Sequence, residues 1–125
     1  EQYFGSWEGK VVDTLREHPE FKQLIKDPAN YKAQVNGGET FEQLGERAMK
    51  ALHDIIKIHD QGNILIVSHG HTLRLLLALL NGATWQNHRD EDKSVSLINT
   101  SISVVHYDDE NGFYVEKIND ADHLK

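Results

Sequence analysis

Ser68-His69-Gly70 stands between an apolar run, Ile64 to Val67, and a leucine-rich run, Leu73 to Leu80. A histidine at such a junction can donate to a phosphate oxygen or hold charge in a transition state, and a glycine beside it lets backbone approach the ligand. The same histidine can equally serve only to cap or to pack. Ser68 is poorly placed as a hydrolase nucleophile, because a nucleophile elbow needs glycine two residues before the serine and Ile66 stands there. His69 and His71 have the spacing of two metal ligands, but Thr72, Leu73 and Arg74 add none and the other six histidines are scattered. No metal or other cofactor is therefore expected. The chain has no cysteine, which excludes a thiol nucleophile and a disulfide framework. Glu1 lies close to Tyr3 and Phe4. Aromatic surroundings can raise a carboxyl pKa toward that of a general acid, although a terminal glutamate is more commonly just solvated.

Four other polar residues carry weaker expectations. Glu39 precedes a capped helix and should favour its N-terminus electrostatically rather than do chemistry. Arg74, one helical turn past His69, is expected to pair with a carboxylate, with a phosphate as the lesser alternative. Asn99, beside Thr100 and Ser101, is expected to satisfy buried backbone within a strand. His123 has no neighbour at a spacing that argues for function.

The elements that must position these residues follow from periodicity. Ile64 to Val67 is short, apolar and mostly β-branched after a Gly-Asn pair, the pattern of a strand buried on both faces. Leu73 to Leu80 predicts a short helix closed by Asn81-Gly82. In open α/β sheets ligands gather at the carboxyl ends of strands, and the next helix offers free N–H groups to an anion, so a phosphate-type ligand near His69 is the first expectation.

Upstream, residues 1 to 10 are glycine-punctuated and loop-like. Val11 to Ile25 is split by Pro19 into two short helical pieces. Asp27 to Gly38 is a surface connection. Thr40 and Gln43 have capping-box spacing, and Phe41, Leu44, Ala48, Leu52 and Ile55 follow at intervals of three and four, which predicts an amphipathic helix of roughly five turns. Ala83 to Ser96, with the mixed-charge run His88 to Lys93, reads as a solvated loop with some helical turn. Leu97 to Tyr107 and Phe113 to Ile118 flank an Asn-Gly pair and predict a β-hairpin. The class is α/β with an antiparallel edge.

With 125 residues and a net charge of −7, the chain suits one domain and attracts neither nucleic acid nor an anionic membrane. Its longest apolar stretch, Leu75 to Leu80, is far below membrane-spanning length. A cytoplasmic location is expected. The chain opens at Glu1 without methionine, which suggests a trimmed or incomplete polypeptide.

Taken in order, Glu1-Gln-Tyr-Phe-Gly-Ser-Trp-Glu-Gly9, Gly38-Glu-Thr-Phe41, Val67-Ser-His-Gly70 and Asn99-Thr-Ser-Ile102 resemble the histidine phosphatase superfamily, also called phosphoglycerate mutase-like. The resemblance is to the carboxyl-terminal part of that family and covers essentially the whole chain. Trp7-Glu8-Gly9 looks more like the phosphatase branch, which includes broad-specificity phosphomonoesterases and α-ribazole phosphatases, than like the mutases. It implies a three-layer fold with a mostly parallel sheet and an antiparallel edge hairpin.

The resemblance further implies phosphomonoester hydrolysis through a phosphohistidine. His69 would be the second histidine, contacting the phosphoryl group. Gly70 would give a backbone N–H to the same phosphate pocket, and Glu1 would be the proton donor that later helps activate water. The nucleophile of that family sits in an Arg-His-Gly motif, and no such motif occurs in residues 1–125. The chain is therefore expected to be a single incomplete domain, inactive alone. It should complete itself with the missing amino-terminal half or, as a homo-oligomer, by swapping with a second copy. The substrate partner would be a small phosphorylated molecule. Two alternatives stay open: a noncatalytic phosphate-binding or interaction module, and a phosphoglycerate mutase.

Overall fold

Pro19 opens the first helix of the computed structural model, which describes residues 1–125, because its fixed φ suits the first helical position and its missing N–H costs nothing there. This helix, α1, spans Pro19–Lys26, and His18 caps it by accepting from the Glu20 N–H at 3.1 Å. A 3-10 turn at Val12–Thr14 precedes it, so the two helical pieces expected on either side of Pro19 are present.

The second helix, α2, spans Phe41–Ile58 and starts at a complete capping box. Thr40 Oγ1 accepts from the Gln43 N–H at 3.3 Å, and the Gln43 side chain accepts from the Thr40 N–H at 2.9 Å. The apolar stripe read from the sequence is buried at Phe41, Leu44 and Ala48.

The third helix, α3, spans Gly70–Leu80, three residues earlier than the leucine run alone indicates, and ends at Asn81 with Gly82 at φ +97°. It packs on α2 at Gly45, where an added Cβ would reach ordinary contact with Leu75 and Leu79. The core gathers Trp7, Phe21, Leu24, Tyr31, Ala33, Phe41, Leu44 and Leu75 between α1, α2 and α3.

Two strands, β1 (Ile102–Asp108) and β2 (Gly112–Asp120), form an antiparallel hairpin. Its turn is held by Asp108 Oδ1, which accepts from the N–H groups of Glu110 and Asn111, with Gly112 at φ +72°. The hairpin begins five residues later than its apolar pattern suggests. Ser101 N–H closes a turn onto the Ile98 carbonyl and Thr100 takes φ +65°, which reverses the chain before pairing starts. Asn99 is therefore exposed and outside the strand, not within it. Asn119 instead satisfies local backbone, with its Oδ1 accepting from the Ile98 N–H at 2.7 Å.

Two expectations are corrected by burial. Ile64 to Val67 is not a strand buried on both faces: it has no ladder partner, and Leu65 and Val67 are 88% and 85% exposed. A strand exists only through its neighbour's hydrogen bonds, and within this chain β1 and β2 pair solely with each other. The sheet is accordingly a two-stranded antiparallel one, and the mostly parallel sheet is not among these elements. Ala83 to Ser96 is not fully solvated either, since His88 is 0% exposed and packs its ring 4.8 Å from that of Phe41. Its first turn is fixed by Thr84 and Asn87, whose side chains each accept from the other's backbone N–H.

Candidate active site

The chain's first residue and the N-terminus of α3, seventy positions apart, form one site. His69 occupies the N-cap position of α3, but its side chain makes no capping bond. Glu1 supplies the cap instead. Its Oε2 accepts from the His71 N–H at 3.2 Å, and its Oε1 accepts from the Thr72 N–H at 3.0 Å and the Thr72 hydroxyl at 3.2 Å. Oε1 also takes the Gln2 N–H at 2.9 Å. A carboxylate on the orphan donors of a helix start is stabilised by both the hydrogen bonds and the helix dipole. This is why α3 begins at Gly70, and it leaves the exposed His69 ring free.

Two glycines let the segment carrying Glu1 lie flat against the turn before α2. A Cβ on Gly5 would collide with the Asn36 carbonyl, and one on Gly38 would collide with the Tyr3 carbonyl. Gly5 also needs φ +59°. Across this contact Glu39 N–H donates to the Tyr3 carbonyl at 2.7 Å and Ser6 N–H to the Asn36 carbonyl at 2.8 Å. Glu39 is not a simple dipole partner of α2. It receives Arg47 Nε at 2.8 Å and Nη2 at 3.0 Å, while the same Nη2 donates to the Glu1 carbonyl at 3.1 Å. The Arg47 guanidinium holds the Glu39 carboxyl below the usual carboxylate range against partial burial.

Beneath Glu1, Gln2 is almost wholly buried and bridges two elements. Its Nε2 donates to the Glu39 carbonyl at 2.9 Å, so its Oε1, 2.8 Å from His71 Nδ1, is an acceptor. The His71 proton therefore sits on Nδ1. The ring lies between Phe4 and Phe41, at 5.4 Å and 6.3 Å between centroids. Burial, reinforced by the Arg89 and Arg74 charges and opposed by Glu1, pushes its pKa down to about 4.

Glu1 itself shows a contest. Burial raises its pKa, but the N–H groups of Gln2, His71 and Thr72 prefer the anion, and they hold the carboxyl below its ordinary value. The sequence expectation of a carboxyl raised by nearby aromatics is thus reversed, because backbone donors outweigh desolvation.

Behind the site sits a second layer. Burial pushes His88 down to about 4 even though its Nδ1 meets the Trp85 carbonyl at 2.8 Å. Arg89 stacks over Phe41 at 5.9 Å and donates Nη1 to the Ile25 carbonyl, and its burial lowers the guanidinium pKa to about 10. Arg74 pairs with no carboxylate. Its Nε donates to Ser94 Oγ at 2.6 Å, at the edge of a cleft of about 300 Å³ that runs along α3 to Gly82 and includes neither Glu1 nor His69. No three metal-ligating side chains converge anywhere in the chain. His123 lies exposed in the terminal 3-10 turn.

Glu1, His69 and Gly70, singled out in the sequence, are therefore neighbours in space. Of the residues that tie them, Gln2, Arg47 and Thr72 carry no expectation in the sequence, and His71 enters there only as a possible metal ligand beside His69. His71 and Thr72 had one available signal, as the second and third residues of a helix lacking a local side-chain cap.

The chain as a whole has relatives. A model of the histidine phosphatase superfamily (branch 1) matches residues 1–121. A metal-independent phosphoserine phosphatase of Arabidopsis thaliana is 29% identical over 125 residues, covering 99% of this chain and 49% of that protein. A probable phosphoglycerate mutase, GpmB, of Salmonella newport is 29% identical over 127 residues, covering 96% and 56% respectively. Among solved structures, Bacillus stearothermophilus YhfR superimposes with a TM-score of 0.87 at 28% identity over all of this chain and 60% of that one. The chain spans about half the length of the curated relatives it matches. On the strength of a family match that reaches from Glu1 to Ala121, the chain belongs to branch 1 of the histidine phosphatase superfamily.

Proposed function

We propose that this chain carries the leaving-group half of a phosphomonoesterase site whose attacking histidine comes from residues outside it. The observation that carries the reading is the seating of Glu1 on the N-terminus of α3, whose N-cap residue, His69, leaves its ring uncommitted. An acid and an anion-receptive helix start thereby meet across seventy residues. In the first step a histidine nitrogen attacks phosphorus, the P–O bond to the alcohol breaks, and Glu1 gives its proton to the leaving oxygen. In the second, the Glu1 carboxylate takes a proton from water as the water oxygen attacks the phosphohistidine, releasing phosphate and restoring the acid. His69 and the Gly70 N–H stabilise the charge that spreads over the phosphoryl oxygens.

At rest the capped Glu1 is ionised, so the first step needs the carboxylate to take up a proton from solvent as the substrate binds. A phosphate dianion placed beside the carboxylate raises its proton affinity, as a like charge does.

The missing nucleophile implies a partner. The exposed run Ile64 to Val67 presents unpaired backbone and apolar side chains, which suits β-pairing with an amino-terminal segment of the whole protein or, by swapping, of a second copy. The isolated 125 residues then hydrolyse no phosphomonoester.

The test is single-turnover and steady-state hydrolysis of an aryl phosphate and of an alkyl phosphate such as phosphoserine by the whole protein. His69→Ala and Glu1→Gln should each lower kcat by roughly 10²- to 10⁴-fold, with Glu1→Gln costing less on the aryl phosphate, whose leaving group needs less protonation. Turnover by the isolated chain, or a Glu1→Gln variant with unchanged kcat on the alkyl ester, overturns the reading. A mutase is the second reading, favoured by the likeness to the probable phosphoglycerate mutase. Phosphoglycerate isomerisation exceeding hydrolysis would select it. An upstream reading frame without an Arg-His-Gly motif would select a noncatalytic phosphate-binding module.

A further inference from the structure

The two oxygens of the Glu1 carboxylate are not equivalent. Oε1 takes three donors, from the Gln2 N–H, the Thr72 N–H and the Thr72 hydroxyl, whereas Oε2 takes only the His71 N–H. Oε2 is also the oxygen on the Gly70 side, 4.0 Å from where a Gly70 Cβ would stand. A carboxylate oxygen has two lone pairs in the carboxyl plane, so three donors leave Oε1 no room for a proton, and Oε2 keeps one lone pair open.

We infer that Thr72 is the positioning residue for Glu1, saturating Oε1 from a buried site on α3 so that Oε2 is the oxygen that carries and delivers the proton. The inference rests on the reading of Glu1 as the acid of the reaction. Thr72 is well suited to the task, because it is buried on α3 and offers two donors from one residue at fixed separation. Its hydroxyl is the one side-chain donor on the carboxylate, and so the only one that substitution can remove without moving backbone.

Charged and titratable groups reach Glu1 from every side. At the start of α3 these are His69, in the N-cap position, and His71, held neutral, with Arg74 one turn on acting on His71. From α2 comes Arg47, already committed to Glu39, and from the connection after α3 comes Arg89. The α-amino group of Glu1 is the remaining one. None of them bonds the carboxylate through a side chain, which leaves Thr72 to orient it.

The experiment is the pH dependence of kcat and of kcat/KM for the whole protein carrying Thr72→Val, Thr72→Ser or Glu1→Gln, on an alkyl phosphate. The limb that disappears in Glu1→Gln identifies the Glu1 titration. In Thr72→Val the carboxylate loses a donor that favours its charged form, so that limb should move to higher pH by about half a unit to one unit. At neutral pH kcat should fall roughly 3- to 30-fold while KM stays within about twofold. Thr72→Ser, which keeps the hydroxyl, should restore the wild-type limb. Should the added methyl of valine disturb folding, as judged by thermal melting, Thr72→Ala reads the same quantity. A Thr72→Val or Thr72→Ala limb that coincides with wild type, or a Thr72→Ser limb displaced as far as theirs, overturns the inference and leaves the function reading intact. Unchanged turnover in Glu1→Gln overturns the function reading instead.

Discussion

The acid sensitivity of the molecule is written in two ring nitrogens. His71 and His88 are both neutral in the fold, with pKa values lowered from 6.5 to about 4 chiefly by burial. In the unfolded chain each takes up its proton near its ordinary value. Between those two values the unfolded state therefore binds more protons, so the stability is complete above about pH 6.5 and declines as pH falls toward 4. The pair places on the order of several kcal/mol at stake across that window. Urea unfolding at pH 7 and pH 5 should show a clear drop in midpoint. His88→Phe should keep the contact with Phe41 while removing roughly half of the pH slope. A slope as steep in His88→Phe as in the parent would assign the acid sensitivity elsewhere. Glu1 acts in the same direction at lower pH: its lowered pKa adds stability that is present above its ordinary value and lost in stronger acid.

Among the elements, the strap formed by residues 1–6 against 36–39 is the most sensitive to volume. Gly37 and Gly38 are adjacent, yet they differ in kind. Gly37 has φ +66° with open space around it, whereas at Gly38 an added Cβ meets the Tyr3 carbonyl and the Phe4 backbone. Gly37→Ala should cost about 1 kcal/mol of conformational strain and spare the site. Gly38→Ala should cost about 2–3 kcal/mol in urea unfolding and, by lifting Glu1 off α3, also lower turnover in the whole protein. Equal effects of the two substitutions would show that close approach of the strap is unimportant. α2 and the hairpin were legible because their signals are local: a capping box with a 3.6-residue stripe, and alternation around Asn-Gly. The strap was not, because hydrogen bonds between residues thirty or more positions apart leave no periodic trace. For the same reason the residues alone gave Glu1 only a weak signal, its nearness to Tyr3 and Phe4, which family resemblance strengthened, and Thr72 and Gln2 were passed over. His88 was misread because a charged neighbourhood in sequence does not reveal that one ring turns inward onto Phe41.

At the scale of the whole molecule, only 18 of 125 residues are buried, so the core is thin and much apolar surface is exposed. That surface centres on Ile64 to Val67. Leu65→Glu and Val67→Glu change side chains that are largely exposed here, so each should alter the stability of the isolated chain by no more than about 0.5 kcal/mol. Both should nonetheless reduce self-association at high concentration, measured by sedimentation velocity, and should prevent recombination with a separately supplied amino-terminal segment. Charged variants that associate as the parent does would place the contact elsewhere. The cap on α3 adds a consequence of another sort. Because the first turn of that helix takes its acceptor from a residue seventy positions earlier, its leading amides are satisfied only when Glu1 is seated on them. Order at the helix start and docking of the amino-terminal strap are thus a single event, and the backbone amides of His71 and Thr72 act as a built-in gauge of whether the two have met.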